Sequence, residues 1–205
     1  MANPEPGDAP QLYLITPLGA TAEALAPMLA EVLDRVPVAC LRLRASDDAA
    51  ELGRLADTVR KLAHDRDVPV VIEDHLDLVQ RHGLDGVHLT DGARRVRYAR
   101  RELGADAIIG AFCGASRHEG LNAGEAGADY VCFGPVGSGA LLRGEMADLD
   151  LFAWWSEVIE VPVVAEGGID AALVASLSPL ADFIAIGPEI WAAPNPAEAL
   201  ATLWF

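Results

Sequence analysis

The feature that most restricts this chain is an alternation. Short runs rich in β-branched and aromatic residues recur between longer runs rich in Ala, Leu, Arg and Glu, eight times within 205 residues. The strand-like runs fall at 11–16, 38–43, 69–73, 86–89, 107–111, 129–133, 162–165 and 183–186, and helical stretches follow them, among them 21–35, 49–63, 93–103 and 117–126. Strands joined through helices run parallel, since only a crossover returns the chain to the same end of the sheet. The strand runs are apolar along most of their length, as strands buried on both faces are. Thr21 and Asp47 are placed to cap helix starts, and Gly83, Gly104 and Gly127 stand where helices should stop.

A parallel sheet either stays open or closes. An open sheet needs distinct edge strands, and none of the eight runs is polar or Pro-blunted. The segment Ala128-Asp-Tyr-Val-Cys-Phe-Gly-Pro135 is echoed by Ala181-Asp-Phe-Ile-Ala-Ile-Gly-Pro188, as equivalent places around a ring would be. The expectation is therefore an α/β chain forming one (β/α)8 TIM barrel over 11–205, at the compact end of the range for that fold. A chain of this length fits one domain that hides roughly 70% of its unfolded surface. Residues 1–10, acidic and Pro-rich with neither a basic nor an apolar region, read as a disordered arm rather than a signal peptide.

Hydrophobic content is 52%, with a mean hydropathy of +0.24. No apolar run reaches the ~18 residues of a membrane span, so the surplus belongs to a large core. A formal charge of −16 argues against nucleic acid and anionic membrane surfaces as partners. It also repels anionic small molecules at long range, so a phosphate site has to be locally basic or built from backbone N–H groups. Cys40, Cys113 and Cys132 cannot all pair and lie in or beside apolar segments, which points to buried free thiols and a cytoplasmic setting.

In a barrel, ligands meet the C-terminal ends of the strands and the loops that follow. After the second strand, Arg42 and Arg44 stand two apart and so share a side of an extended segment, suited to a phosphate or diphosphate; the bland alternative pairs them with Asp47 and Asp48. After the third come Glu73, Asp74 and His75, where adjacent carboxylates suit Mg²⁺, although Asp74 could instead cap the next helix. Asp91 is a candidate second metal carboxylate, and His88, inside the fourth strand, reads as a core histidine. The loop Glu166-Gly167-Gly168-Ile169-Asp170 before a helix, with Gly187 closing the eighth strand, suits a phosphate held by backbone amides. His118 reads as an exposed residue in a first helical turn. Trp154, Trp155 and Trp191 read as packing on outer helices, and the apolar outer helices with Trp154 and Trp155 leave room for a homodimer.

With those residues in view, the chain resembles the family of thiamine phosphate synthase and its relative, thiazole tautomerase. The similarity runs from Leu12-Tyr-Leu-Ile-Thr16 to Ile186. It is most specific in Val68-Pro-Val-Val-Ile-Glu-Asp-His75 with Gly86-Val-His-Leu89, in Gly124-Glu-Ala-Gly-Ala-Asp-Tyr130 with Phe133-Gly-Pro135, and in Val161-Pro-Val-Val-Ala-Glu-Gly-Gly-Ile169. The resemblance implies the Mg²⁺-assisted joining of hydroxymethylpyrimidine diphosphate to hydroxyethylthiazole phosphate, giving thiamine phosphate and pyrophosphate. It places the thiazole phosphate at Gly167, Gly168 and Gly187, the diphosphate at Arg42 and Arg44, and the principal metal carboxylate at Asp74, with Asp91 or Glu73 beside it. The family's Gln-x-Arg-x-Lys stands here as Cys40-Leu-Arg42-Leu-Arg44, its Asn-Asp-Arg as Glu73-Asp74-His75, and its second metal Asp falls at Ala93. The Thr-Pro-Thr-Lys loop after the sixth strand is replaced by Gly137-Ser-Gly-Ala140, with Arg143 as the substitute cation on diphosphate. Every departure falls on the diphosphate and Mg²⁺ side. Three functions follow: a divergent synthase, a catalytically impaired or tautomerase-like paralogue that binds a thiamine-related phosphate, or a barrel isomerase or aldolase acting on a sugar phosphate. The last is disfavoured for Schiff-base chemistry, since Lys61 is the chain's one lysine and lies on a helix.

Overall fold

The structure is a computed structural model that describes residues 9–45, 48–138 and 144–204. Eight parallel strands close a barrel in chain order: β1 (Gln11–Ile15), β2 (Cys40–Leu43), β3 (Val70–Glu73), β4 (Gly86–Leu89), β5 (Ile108–Phe112), β6 (Tyr130–Phe133), β7 (Val163–Glu166) and β8 (Phe183–Ile186), with β8 pairing back onto β1. Outside them lie α1 (Ala22–Arg35), α2 (Ala49–His64), α3 (Leu76–His82), α4 (Val96–Leu103), α5 (Arg117–Ala126), α6 (Leu149–Val158), α7 (Ala171–Leu177), α8 (Pro188–Trp191) and α9 (Pro196–Trp204). All eight expected strands are present, with bounds that differ by a residue or two, and the barrel replaces the open-sheet alternative. None of the described helices is long and apolar enough to cross a membrane.

Apolarity on both strand faces has a direct cause here. Successive side chains alternate between two separate packed groups. One lies between strands and helices and takes Leu12, Leu14, Leu41, Leu43, Ile72 and Phe133. The other fills the barrel and takes Tyr13, Ile15, Cys40, Val71, Tyr130 and Phe183. Register puts Gly110 between His88 and Tyr130, and a Cβ on Gly110 would overlap the Tyr130 ring. A side chain as large as tyrosine fits inside because its neighbour has none.

Helix ends follow local chemistry. Thr21 Oγ1 accepts the Ala24 N–H ahead of α1, and Asp48 accepts from Ala50 and Glu51 ahead of α2; Asp47, the cap expected from sequence, lies outside the described residues. Gly83 and Gly127 end α3 and α5 in the left-handed region, at φ 64° and 97°. The helix expected over 93–103 starts as a 3₁₀ turn, Gly92–Arg95. The arm expected at 1–10 has only residues 9 and 10 among those described.

At the opposite rim one device repeats. The residue before each of β4, β6 and β8 is an Asp whose carboxylate accepts the N–H opening or near the start of the preceding strand: Asp85 from Val70 (2.6 Å), Asp129 from Ile109 (2.7 Å) and Asp182 from Val163 (2.7 Å). The echoed Ala-Asp segments are two instances of it.

Trp155 is the packing residue that its place on an outer helix suggested. It is buried against Phe133, ring centroids 5.0 Å apart, and its Nε1 donates to the Val161 carbonyl at 2.8 Å. It is therefore unavailable to a partner subunit. Trp154 is half-buried beneath the Arg117 guanidinium, 4.9 Å from its ring centroid.

Gly110→Ala should lower stability by about 1–3 kcal/mol, the cost of overfilling a packed interior, read as a lower urea midpoint with an unchanged denaturant slope.

Candidate functional site

The ends of β2, β3 and β7 meet around Arg42. It points into the barrel and is 5% exposed. Its Nη2 lies 2.7 Å from Glu166 Oε2 and its Nε 3.3 Å from Glu73 Oε1; Arg44 Nε lies 3.7 Å from the same Glu73 oxygen. The shared side expected for Arg42 and Arg44 is thus realised, and a carboxylate of the chain joins them. Burial pushes the Glu73 carboxyl up despite Arg42 and Arg44. Burial disfavours the charge on Arg42, and Glu166 foremost more than restores it. The Cys132 thiol donates to Glu166 Oε2 at 3.1 Å.

From Arg42 a polar chain crosses the barrel. Arg42 Nη1 lies 2.8 Å from His88 Nε2, and His88 Nδ1 lies 2.9 Å from the Tyr130 hydroxyl, itself 2.7 Å from that of Tyr13. A guanidinium only donates, so His88 Nε2 must accept and Nδ1 must carry the proton. Tyr130 then accepts from His88, and its hydroxyl shares the second hydrogen bond with that of Tyr13. Burial, with the charge of Arg42, depresses the His88 pKa well below its ordinary value, which agrees with this neutral form. His88 is the satisfied core histidine that its place in the strand suggested. Cys40, Cys113 and Cys132 are free and buried, with burial pushing Cys40 and Cys113 up to about 12.

Beside this group Asp74 stands at φ 58°, a left-handed conformation that Asp tolerates better than most residues. Its carboxylate accepts from the Thr90 N–H at 3.1 Å, from the Thr90 hydroxyl and from Arg95. Arg95 Nε also donates to Asp91 Oδ2 at 2.8 Å. The alternative role for Asp74, capping the next helix, is not adopted, because His75 precedes α3 and Asp74 is turned to Arg95. Asp74 and Asp91 do converge as expected, but a guanidinium lies between them, and Glu73 faces Arg42 and Arg44 instead. Asp91 Oδ1 is buried with no hydrogen-bond partner. Among the described residues no three His, Cys, Asp or Glu side chains surround a point that could hold a metal ion. As arranged, the Asp74 and Asp91 carboxylates are turned to Arg95, and that of Glu73 to Arg42 and Arg44.

The loops after β7 and β8 bring several backbone N–H groups together. Gly167 and Gly168 lie at φ 86° and 74°, a conformation that glycine adopts without strain. Gly187 packs against Ile15, which a Cβ there would strike. The N–H groups of Gly168, Ile169 and Gly187 converge on one side chain, Glu189, at 3.1, 3.3 and 2.8 Å. Asp170 caps α7 by accepting from Leu173, and Trp191 Nε1 donates to the last carbonyl of β1, Ile15, at 2.6 Å. An open cleft of 680 Å³ adjoins the cradle, lined by Asp170, Glu189, Asn195, Glu198 and Thr202 among others.

His118 is exposed on the first turn of α5 and meets Asn122. Arg143 lies outside the described residues. Glu166, Arg95, Thr90 and Glu189 hold the site together, and sequence reading gave none of them a role. Glu166 and Glu189 could have been suspected, since each is an acidic side chain beside the glycines of an amide-rich turn.

Comparison with known proteins gives the family and agrees with the fold. A family model described as thiamine monophosphate synthase matches residues 12–190. A thiamine-phosphate synthase of Rhodospirillum centenum is 43% identical over 195 residues, covering 93% of this chain and 94% of its own. One from Erythrobacter litoralis is 37% identical over 201 residues, covering 93% and 92%. Among solved structures, a thiamine phosphate pyrophosphorylase from Pyrococcus furiosus superposes with a TM-score of 0.80 at 27% identity, covering 94% of this chain and 93% of that one.

Removing Arg42 strands two partly buried carboxylates, Glu73 and Glu166, so Arg42→Met should be destabilising in chemical denaturation, by at most about 3–5 kcal/mol. For Asp74, burial opposes ionisation, but the hydrogen bonds from Thr90 and Arg95 outweigh it and hold the carboxyl below its ordinary value. A lowered folded pKa adds stability above the unfolded value, roughly 3.9, and that contribution is lost as pH falls through the folded value. Asp74→Asn should therefore be less stable than the parent at neutral pH, and the gap should narrow on acidification toward about pH 3. A gap that stays constant with pH would contradict this.

Proposed function

The chain belongs to the thiamine monophosphate synthase family, and on that footing we propose that it is a thiamine-phosphate synthase-type transferase, joining hydroxymethylpyrimidine diphosphate to hydroxyethylthiazole phosphate with release of pyrophosphate. The cradle of three backbone N–H groups at the ends of β7 and β8, within a match that spans almost the whole chain, carries this proposal. The bond that breaks joins the pyrimidine methylene to the diphosphate oxygen, and the bond that forms joins that methylene to the thiazole nitrogen. Charge leaves with the diphosphate, so the protein's share is to orient both substrates and stabilise the departing anion. Arg44 is the more accessible guanidinium and the one placed to meet diphosphate, while Arg42 sets the positions of Glu73 and Glu166. Magnesium belongs to the resemblance; because Arg95 takes both Asp74 and Asp91, no step here is routed through it.

One observation favours a second function. Arg42 is buried and answered by two carboxylates of its own chain, which suits a paralogue that binds a thiamine-related phosphate without coupling. A tautomerase-like role for His118 finds no support in its exposure and single contact with Asn122. Phosphorylated small molecules are the proposed partners in either case, with no nucleic acid at a charge of −16 and a cytoplasmic setting for the free thiols. Any homodimer would use the α6 face, where Leu149 and Val158 are exposed beside Trp154.

The purified chain, supplied with both substrates with and without Mg²⁺, should form thiamine phosphate and pyrophosphate in equal amounts. Formation requires both substrates. No product above background at high enzyme concentration, together with a thermal shift from thiamine phosphate, would establish the second function instead. Arg44→Met should lower kcat/KM by about tenfold to a hundredfold, the worth of one hydrogen-bonded charge.

A further inference from the structure

Three backbone N–H groups from two loops are an anion site wherever they converge, and in this chain the anion is its own Glu189. Oε1 takes the N–H groups of Gly168 and Ile169, and Oε2 that of Gly187. A carboxylate and a phosphate monoester offer such amides the same kind of charged acceptor. Both cannot hold them at once.

We propose that Glu189 is a specificity-determining residue: it is the resident anion of the cradle and competes with the phosphate of the thiazole substrate, so that the chain discriminates weakly between hydroxyethylthiazole phosphate and the free alcohol. This deepens the function given above and rests on its assignment of the thiazole to this end of the barrel. One feature opposes displacement of Glu189. The 680 Å³ cleft beside it is lined in part by the carboxylates of Asp170 and Glu198, so a Glu189 expelled into it moves toward like charge. An uncharged hydroxyl does not compete for the amides and leaves Glu189 in place.

Calorimetric titration of the parent, Glu189→Ala and Glu189→Gln with hydroxyethylthiazole phosphate and with hydroxyethylthiazole tests this. The parent should bind the two within about threefold of each other. Glu189→Ala frees the amides and removes the charge, so it should bind the ester at least about tenfold more tightly, the worth of one charged hydrogen bond, with the alcohol unchanged. Glu189→Gln keeps an acceptor but loses the charge and should fall between. An ester affinity in Glu189→Ala that is unchanged, undetectable or weaker overturns the proposal, and so does a parent that already prefers the ester by more than about tenfold. Melting curves establish folding; if the Ala variant does not fold, tightening of the ester by the Gln variant decides the matter, and its absence overturns the proposal. Tightened ester binding by a protein that makes no thiamine phosphate would reject the coupling function while leaving the role of Glu189 intact.

Discussion

A guanidinium inside a barrel has to be answered by charge, since the cost of taking Arg42 out of water far exceeds the stability of a small domain unless partners surround it. Here the answer comes from three other strands: Glu73 on β3, His88 on β4 and Glu166 on β7. Those contacts fix the inner ends of four strands relative to one another. They also set the tautomer of His88, and through it the direction of the hydrogen bond to Tyr130. One charged side chain thereby orders a polar column through an otherwise apolar interior, and Gly110 supplies the space that the column's tyrosine needs.

The fold was legible because its cause is repetitive. Burial on both faces makes a run of apolar residues, and eight such runs with helices between them leave few arrangements. Ends were less legible because they are decided by one or two polar contacts: α2 is capped by Asp48, and α4 begins as a tighter turn. The site was legible only in its glycines and in the positions of its charges. Arg42, Arg44, Asp74 and Asp91 stand at strand ends as their spacing indicated. What each charge faces could not be read, because the partners lie on other strands. Glu166 approaches Arg42 across the barrel, and Arg95 reaches Asp74 from a turn that follows a different strand.

The partners share a pattern. Where the family resemblance puts diphosphate against Arg42 and Arg44, the structure has Glu73 and Glu166. Where it puts a divalent cation against Asp74, there is Arg95. Where it puts a phosphate against backbone amides, there is Glu189. In each case the chain's own group has the sign of the ligand it stands for. Electrostatics explains why these go together. A barrel mouth that binds anions and a cation is strained by unpaired charge when none is bound, and a net charge of −16 makes free anions scarce nearby. Side chains of matching sign relieve that strain permanently.

Such internal pairing sets stability against binding. A substrate anion must now displace a carboxylate that is already hydrogen-bonded, so what it gains is the difference between two similar interactions rather than the whole of one. The penalty differs from place to place. Arg44, partly exposed and 3.7 Å from Glu73, can exchange partners at little cost. Arg42 cannot, because it is itself buried and would give up its ion pair with Glu166 at 2.7 Å. On the function proposed above, substrate charge would be met at the outer layer of the mouth, by Arg44 and by whatever the amides of β7 and β8 can release, while Arg42 and its column serve as the fixed floor on which that layer rests.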